Sequence, residues 1–378
     1  MGATFSLGRI LGIPVSVSYT WFVVLGLVSY VLFGQLSMQL PRWDMLPLVG
    51  MAAATGLLFF VSVLAHELAH SLTATRHGIP VRGITLFMLG GVSHIAMEAR
   101  RPWIEFTVAL VGPALSLVLG GLLMGFAFYV APAFLEGRLR DGVMVVAFLL
   151  GWTNLALGVF NLLPGFPLDG GRVLRAGLWG LTGNYWLATS IAVLVAQVFA
   201  VALTLLSIFL FIRTGNFLNL WPILIAGFVF YMAVSAKSAA RDRRQLTGVT
   251  VGEVASADMV PADATIADAV RARLTRGGRA AVLVGVESVP AGVLHEQELR
   301  GVPRGVWGIT SPMQAMVPLS SFPVVDAGEP AIEALEVLED DDGPPCLVVV
   351  AGGRIVGIVT RSDLDDYLRG RRTLDMAH

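Results

Sequence analysis

Six stretches of this chain, roughly 15–33, 48–74, 103–130, 143–163, 186–212 and 218–235, are apolar along nearly their whole length. A helix crosses the hydrocarbon core of a bilayer in about 20 such residues. Inside that core every backbone polar group needs a partner within the protein, which leaves helices and closed barrels as the spanning structures. The sequence therefore predicts a polytopic α-helical membrane domain with six transmembrane helices over residues 1–236. Charge divides the chain at the same place, with eighteen Asp, Glu, Lys and Arg residues in the first 236 positions and thirty-five in the rest. The second share is close to the about 25% of ordinary soluble proteins. The net charge of −1 thus averages two different objects. There is no basic stripe with interleaved aromatics, so nucleic acid is not an expected partner.

Single residues add detail. The one cysteine, Cys346, excludes an intramolecular disulfide and fits a reducing compartment for the C-terminal part. Near the N-terminus there is a lone Arg9 and no small-residue cleavage site, so 15–33 reads as a retained span rather than a cleaved signal. Arg9 precedes the first span; Arg76, Arg82, Arg100 and Arg101 lie between the second and third; Arg172 and Arg175 lie between the fourth and fifth; Lys237, Arg241, Arg243 and Arg244 follow the sixth. By the positive-inside rule these connections and both termini face the cytoplasm. The expected location is the cell membrane, with multiple passes.

The second span carries His66-Glu67-Leu68-Ala69-His70. Residues four apart on a helix share a face, so the two imidazoles can reach one point with Glu67 beside them. This is the H-E-x-x-H zinc pattern, in which the glutamate is a base rather than a ligand. Ionisable groups inside a membrane are expensive and mark function. With both termini inside, His66 and His70 fall in the cytoplasmic half of an inward-running helix. The fourth span also runs inward and breaks at Asn161-Leu162-Leu163-Pro164-Gly165-Phe166-Pro167-Leu168-Asp169-Gly170-Gly171, which cannot continue as a regular helix. Asp169 then sits at the depth of the histidines as the natural third ligand. Its bland alternative is to cap the next helix from an Asp-Gly-Gly turn. Asn161 either serves the site or satisfies backbone groups freed where the helix ends. Ser116 and Gly120 in the third span read as a small-residue packing face. His77 and His94 read as solvated near the membrane surface.

Residues 78–96 suggest a short hairpin with its turn at Gly90-Gly91, and an unpaired strand edge there would need a partner such as a substrate. Beyond 247 the chain repeats itself over about 60 residues: helix (266–274; 331–338), strand (280–284; 346–350), turn, strand (291–294; 354–360), helix (295–299; 361–369). One such unit is too small to bury a good core, so the two are expected to pack together.

The histidine helix, the Leu168-Asp169-Gly170 segment and the six spans together resemble the site-2 protease family of intramembrane zinc metalloproteases. The C-terminal repeat resembles a pair of cystathionine-beta-synthase (CBS) domains, as in the CBS-bearing bacterial and archaeal branch of that family. The resemblance implies one Zn2+ held by His66, His70 and Asp169, with Glu67 as the catalytic base. It implies that Asn161 helps hold the substrate or polarise the scissile carbonyl, and that the hairpin pairs with an unwound substrate strand. The Gly112-Pro113 pair fits the family pattern and is expected to serve packing. The implied substrate is a transmembrane or membrane-associated protein such as an anti-sigma factor or a pro-transcription factor, cut near the cytoplasmic face. In the second repeat, Gly357-Ile358-Val359-Thr360-Arg361-Ser362-Asp363 resembles the ribose-phosphate signature of CBS domains, which would give Thr360 and Asp363 to ATP or AMP. The first repeat has His295 where the hydroxyl should be, so one nucleotide site is expected. The alternative for this pair is a dimerisation or docking module, with a homodimer through the CBS domains. For the whole chain the alternatives are a CBS-gated transporter or channel and an inactive scaffold. The expected domains are 1–236 (protease), 237–247 (basic linker), 248–304 and 305–372 (CBS repeats) and 373–378 (tail).

Overall fold

A computed structural model describes residues 4–87, 90–95, 99, 101–166, 168–275, 281–286, 289–339 and 343–375. Met88, Ala96, Arg100, Pro167, Ala280 and His378 lie outside the described residues. The chain divides into two compact units, Met1–Ser238 and Ala239–His378.

The first unit opens on a hairpin of β1 (Thr4–Ile10) and β2 (Ile13–Ser18). Its two turn residues, Leu11 and Gly12, both have positive φ, the backbone that matches the twist of tight two-residue hairpins. The first span therefore does not begin at Val15. Ile13, Val15 and Val17 alternate inward in β2 with a period of two, and Ser18 then caps α1 (Tyr19–Gln39) by accepting from Thr20 N. Next comes α2 (Met45–Arg76), followed by β3 (Val81–Phe87) and β4 (Gly90–Ile95). Gly90 and Gly91, expected as the turn, are the first residues of β4, and residues 88 and 89 lie outside the described residues.

The four strands form one sheet in the order β1-β2-β3-β4, with β2 parallel to β3 through Val15↔Ile84 and Val17↔Leu86. The chain's own β2 thus supplies the partner that one edge of the second hairpin needs. Ile84 and Leu86 turn onto α2 and pack with Phe60, Val63 and Trp21. This burial sets the sheet against the helix that carries the two histidines.

The third span runs longer than expected, through α3 (Pro102–Gly125), a π-helical turn (Phe126–Val130) and α4 (Ala131–Phe134). The fourth is α5 (Gly137–Asn161). A seven-residue break leads into α6 (Asp169–Thr182), a short amphipathic helix that the turn-like Asp-Gly-Gly composition concealed. Gly170 is required there, since a Cβ would lie 2.3 Å from the carbonyl oxygens of both Leu162 and Leu163. The last two spans are α7 (Tyr185–Thr214) and α8 (Trp221–Leu246), the latter preceded by a 3-10 turn at Phe217–Leu220. Six helices are long and apolar enough to cross a membrane, and the protein is a multi-pass membrane protein. Residues 237–246, expected as a linker, continue α8 instead.

The second unit contains α9 (Val251–Val254), β5 (Met259–Pro261), α10 (Ile266–Thr275), β6 (Ala281–Val286), β7 (Val289–His295) and α11 (Glu296–Gly301). It continues with β8 (Val317–Pro318), β9 (Val324–Asp326), α12 (Ala331–Leu338), β10 (Leu347–Ala351), β11 (Arg354–Val359) and α13 (Arg361–Asp375). Two sheets, β5-β6-β7-β8 and β11-β10-β9, repeat one scheme of a parallel pair followed by an antiparallel hairpin. Leu246, Val249, Val251 and Val254 pack into the core of the second repeat with Leu335, Val349 and Leu364. Trp307, Ala315 and Met316, numbered with the second repeat, pack on Val260, Ile266 and Leu294 of the first. Each repeat is completed by residues from the far side of the sequence boundary, so neither has a whole core alone.

Candidate metal centre

His66 and His70 lie one turn apart on the buried face of α2, 3% and 4% exposed. Their rings are 4.8 Å apart between centroids. Each Nδ1 is tied to α3: His66 Nδ1 lies 2.9 Å from Ser116 Oγ, and His70 Nδ1 donates to the carbonyl of Val108 at 2.6 Å. A carbonyl oxygen only accepts, so the proton of His70 sits on Nδ1 and its Nε2 is available as a ligand. Asp169, the first residue of α6, brings Oδ2 to 3.2 Å from His66 Nε2 and 3.1 Å from His70 Nε2. The capping alternative for this aspartate does not match the geometry, because Leu168 is the N-cap and makes no side-chain cap bond.

Among the described residues these three form the one group of His, Cys, Asp or Glu able to hold a metal ion, with all ligand atoms within 4.8 Å of one another. Donors about 2.0–2.1 Å from a tetrahedral zinc ion lie about 3.3 Å from each other, close to the spacing seen. The donor set of two imidazoles and one carboxylate is likewise a zinc set. A second observation concerns Gly112 of α3: a Cβ there would lie 2.2 Å from His70 Nε2 and 2.8 Å from His66 Nε2. The missing side chain leaves the space that both ligand atoms face. The residues present fit a zinc ion.

Glu67 points to the sheet side of α2. Its Oε2 accepts from Ser93 Oγ of β4 at 2.7 Å, and the same hydroxyl lies 3.2 Å from the Glu67 carbonyl. Ser71 Oγ donates to Ser93 Oγ at 3.1 Å, so the glutamate is anchored through a short hydroxyl chain. Asn161 stands at the end of α5, its amide donating to Leu157 O at 3.0 Å, one turn back on its own helix. That contact ties the side chain back to its own helix. His77 is the exposed C-cap of α2, and His94 Nε2 lies 3.1 Å from Thr85 Oγ1; neither joins the metal group.

Several residues around the site escape a reading by sequence. Ser116 sits fifty positions from His66 and looks like a packing residue, a role that its neighbour Gly120 does fill against α5. Ser93 and Val108 carry no motif. Glu105 and Arg175 form a buried ion pair between α3 and α6, and here a signal existed: an acid inside an apolar span is rarely idle.

In the second unit, Thr360 and Asp363 are brought together at the start of α13. Thr360 N and Oγ1 donate to Asp363 Oδ2 at 2.9 and 2.6 Å, and both residues are buried. The pair therefore has a capping role of its own. In the first repeat His295 does the equivalent work, accepting from Gln297 N at 3.3 Å.

Comparison with known proteins matches residues 54–137 and 137–206 to the family described as Peptidase family M50, and residues 315–370 to the CBS domain. The "Putative zinc metalloprotease sll0528" of Synechocystis sp. is 33% identical over 377 residues, covering 96% of this chain and 95% of that protein. The "Putative zinc metalloprotease Rip3" of Mycobacterium tuberculosis is 32% identical over 362 residues, covering 95% and 91%. Among solved structures, the site-2 protease from Methanocaldococcus jannaschii is 28% identical and covers 62% of this chain and 95% of its own, with a TM-score of 0.40.

Proposed function

Because the chain belongs to peptidase family M50, the site-2 protease type of zinc metalloprotease, we propose that it hydrolyses a peptide bond of a transmembrane or membrane-associated protein near the cytoplasmic face. The observation that carries this reading is the approach of Asp169 Oδ2 to both imidazole Nε2 atoms. His66, His70 and Asp169 would hold one zinc ion, which when bound supplies Lewis acidity at the scissile carbonyl. Glu67 takes a proton from the attacking water and returns it to the leaving amine, the work of a general base and then a general acid. Ser93 fixes the carboxylate that does so. Asn161 stands beside the break that leads to Asp169, and its proposed role is to hold substrate backbone there.

A helix hides its carbonyls in internal hydrogen bonds, so a membrane-spanning substrate must unwind before it is cut. In the sheet order β1-β2-β3-β4, one edge of β4 has no strand beside it among the described residues. Strand addition at that edge would repay the substrate's lost hydrogen bonds. Substrates of the anti-sigma or pro-transcription factor kind, cytoplasmic termini in the cell membrane, nucleotide at Thr360 and Asp363, and a CBS-mediated homodimer complete the proposal. The transporter or channel reading, in which the intramembrane His and Glu would line an ion path, is not carried further, since the chain belongs to a peptidase family.

The direct test is Glu67→Gln. The variant is expected to keep its zinc and its fold and to lose cleavage of a transmembrane reporter; full-rate cleavage would overturn the mechanism.

A further inference from the structure

Glu105 and Arg175 are 2% and 8% exposed in a part of the protein with few charges. Arg175 Nε donates to Glu105 Oε1 at 2.7 Å, Nη2 donates to the same oxygen, and Nη1 donates to Tyr185 Oη at 2.8 Å. The guanidinium also lies over two rings, 5.0 Å from that of Tyr185 and 5.5 Å from that of Phe166. One side chain of α6 thereby touches α3, the first residue of α7 and the broken segment just before Asp169.

Burying two charges costs several kcal/mol for each ion, and such pairs can often be replaced by apolar residues without loss of stability. Stability alone is therefore a poor explanation for this pair. What it joins is more telling. Glu105 is one turn from Val108, whose carbonyl receives His70 Nδ1, and α3 goes on to provide Gly112 and Ser116. Arg175 is six residues along α6 from Asp169, about 9 Å by helical rise. The supports of both histidines thus hang from α3 and the carboxylate ligand from α6.

We propose that Glu105 and Arg175, with Tyr185, are positioning residues that fix α6 against α3 and so hold Asp169 within reach of both imidazoles. The inference rests on reading His66, His70 and Asp169 as the zinc ligands. A ligand preset in this way loses less freedom when the ion binds, and outer partners of metal ligands are typically worth about 10- to 100-fold in affinity.

The test uses full-length protein in detergent, with zinc affinity measured by competition against a chelating indicator and the melting of the zinc-free protein measured in parallel. A Glu105→Gln, Arg175→Met double variant removes both charges at similar volume. It is expected to melt like the parent when zinc-free and to bind zinc about 10- to 100-fold more weakly. Arg175→Lys keeps the charge but not the fork, and is expected to fold and to show a smaller loss. Parent-like zinc affinity in the double variant, or in Arg175→Lys should the double variant not fold, would overturn the proposal. Asp169→Ala is measured alongside: if it too binds zinc like the parent, the ligand assignment has failed, whereas weak binding by Asp169→Ala together with parent-like affinity in the pair variants overturns the positioning role alone.

Discussion

Asp169 Oδ2 lies 3.1 Å from His70 Nε2 across ninety-nine residues of sequence, two membrane-spanning stretches and the break after α5. Three features converge on that distance: the end of α5, the glycine that lets the first turn of α6 pack under Leu162 and Leu163, and the empty position at Gly112. If the three side chains share one ion, Asp169→Ala should lower bound zinc from one per chain to a small fraction under chelator competition, with His66→Ala doing the same. Stoichiometric zinc in either variant would remove that residue from the ligand set.

Gly112→Ala places a methyl group 2.2 Å from His70 Nε2. Overpacking of this kind costs about 1–3 kcal/mol in ordinary cores, and here the atoms displaced are those of the proposed ligands. If those atoms are ligands as proposed, loss of zinc affinity and a lower melting temperature are expected. Gly121→Ala is the control, because a Cβ there meets nothing within 4 Å. Equal zinc binding by the two variants would show that the space at 112 is not needed.

Ser93→Ala removes the hydroxyl that donates to Glu67 Oε2. Hydrogen bonds to charged groups contribute about 1.5–3 kcal/mol, so kcat on the transmembrane reporter in detergent is expected to fall by roughly tenfold or more. Zinc content should stay at the parent level, since the Ser93 hydroxyl bonds Glu67 and Ser71 rather than His66, His70 or Asp169. A fall in zinc rather than in kcat would place the serine in the metal centre instead.

Burial, followed by the nearby charges of Glu298 and Asp363, pushes the Cys346 thiol from its ordinary 9.0 up to about 12. The folded state favours the neutral thiol, so this contribution to stability is fully present below about pH 9 and is lost as the pH rises toward 12. At pH 8 iodoacetamide should label Cys346 very slowly in native protein and quickly in denaturant. Rapid native labelling would contradict the packing of the second unit.

Nucleotide at the second repeat must share Thr360 and Asp363 with the cap of α13. Binding there stabilises by mass action, about 2.7 kcal/mol at a ligand concentration of 100 Kd. ATP or AMP should therefore raise the melting of the C-terminal unit in the full-length protein, and Asp363→Asn should abolish the rise. No shift with either nucleotide would leave a docking module as the better account.

Much of this molecule is written in local pattern. Apolar length and the charge boundary near residue 236 give the membrane spans, the i, i+4 spacing of His66 and His70 aligns two imidazoles, and two prolines with one glycine break the chain before Asp169. Each is a property of neighbouring residues and needs no fold to be read. Other features could not be read this way. The alternation of Ile13, Val15 and Val17 was hidden in an apolar run, where length argued for a helix, and only pairing with β1 and β3 makes it a strand. Asp-Gly-Gly resembles a turn until the carbonyls of Leu162 and Leu163 demand a helix start without side chains. Ser93, Ser116, Gly112 and the Glu105–Arg175 pair gain their meaning from partners 26, 50 or 70 positions away, or from the ring atoms that a Cβ would strike. Sequence alone determined the proposed ligand set and the membrane setting, because both follow from residue type and spacing. Tertiary structure decided what supports each ligand, because support depends on which distant surfaces burial brings into contact.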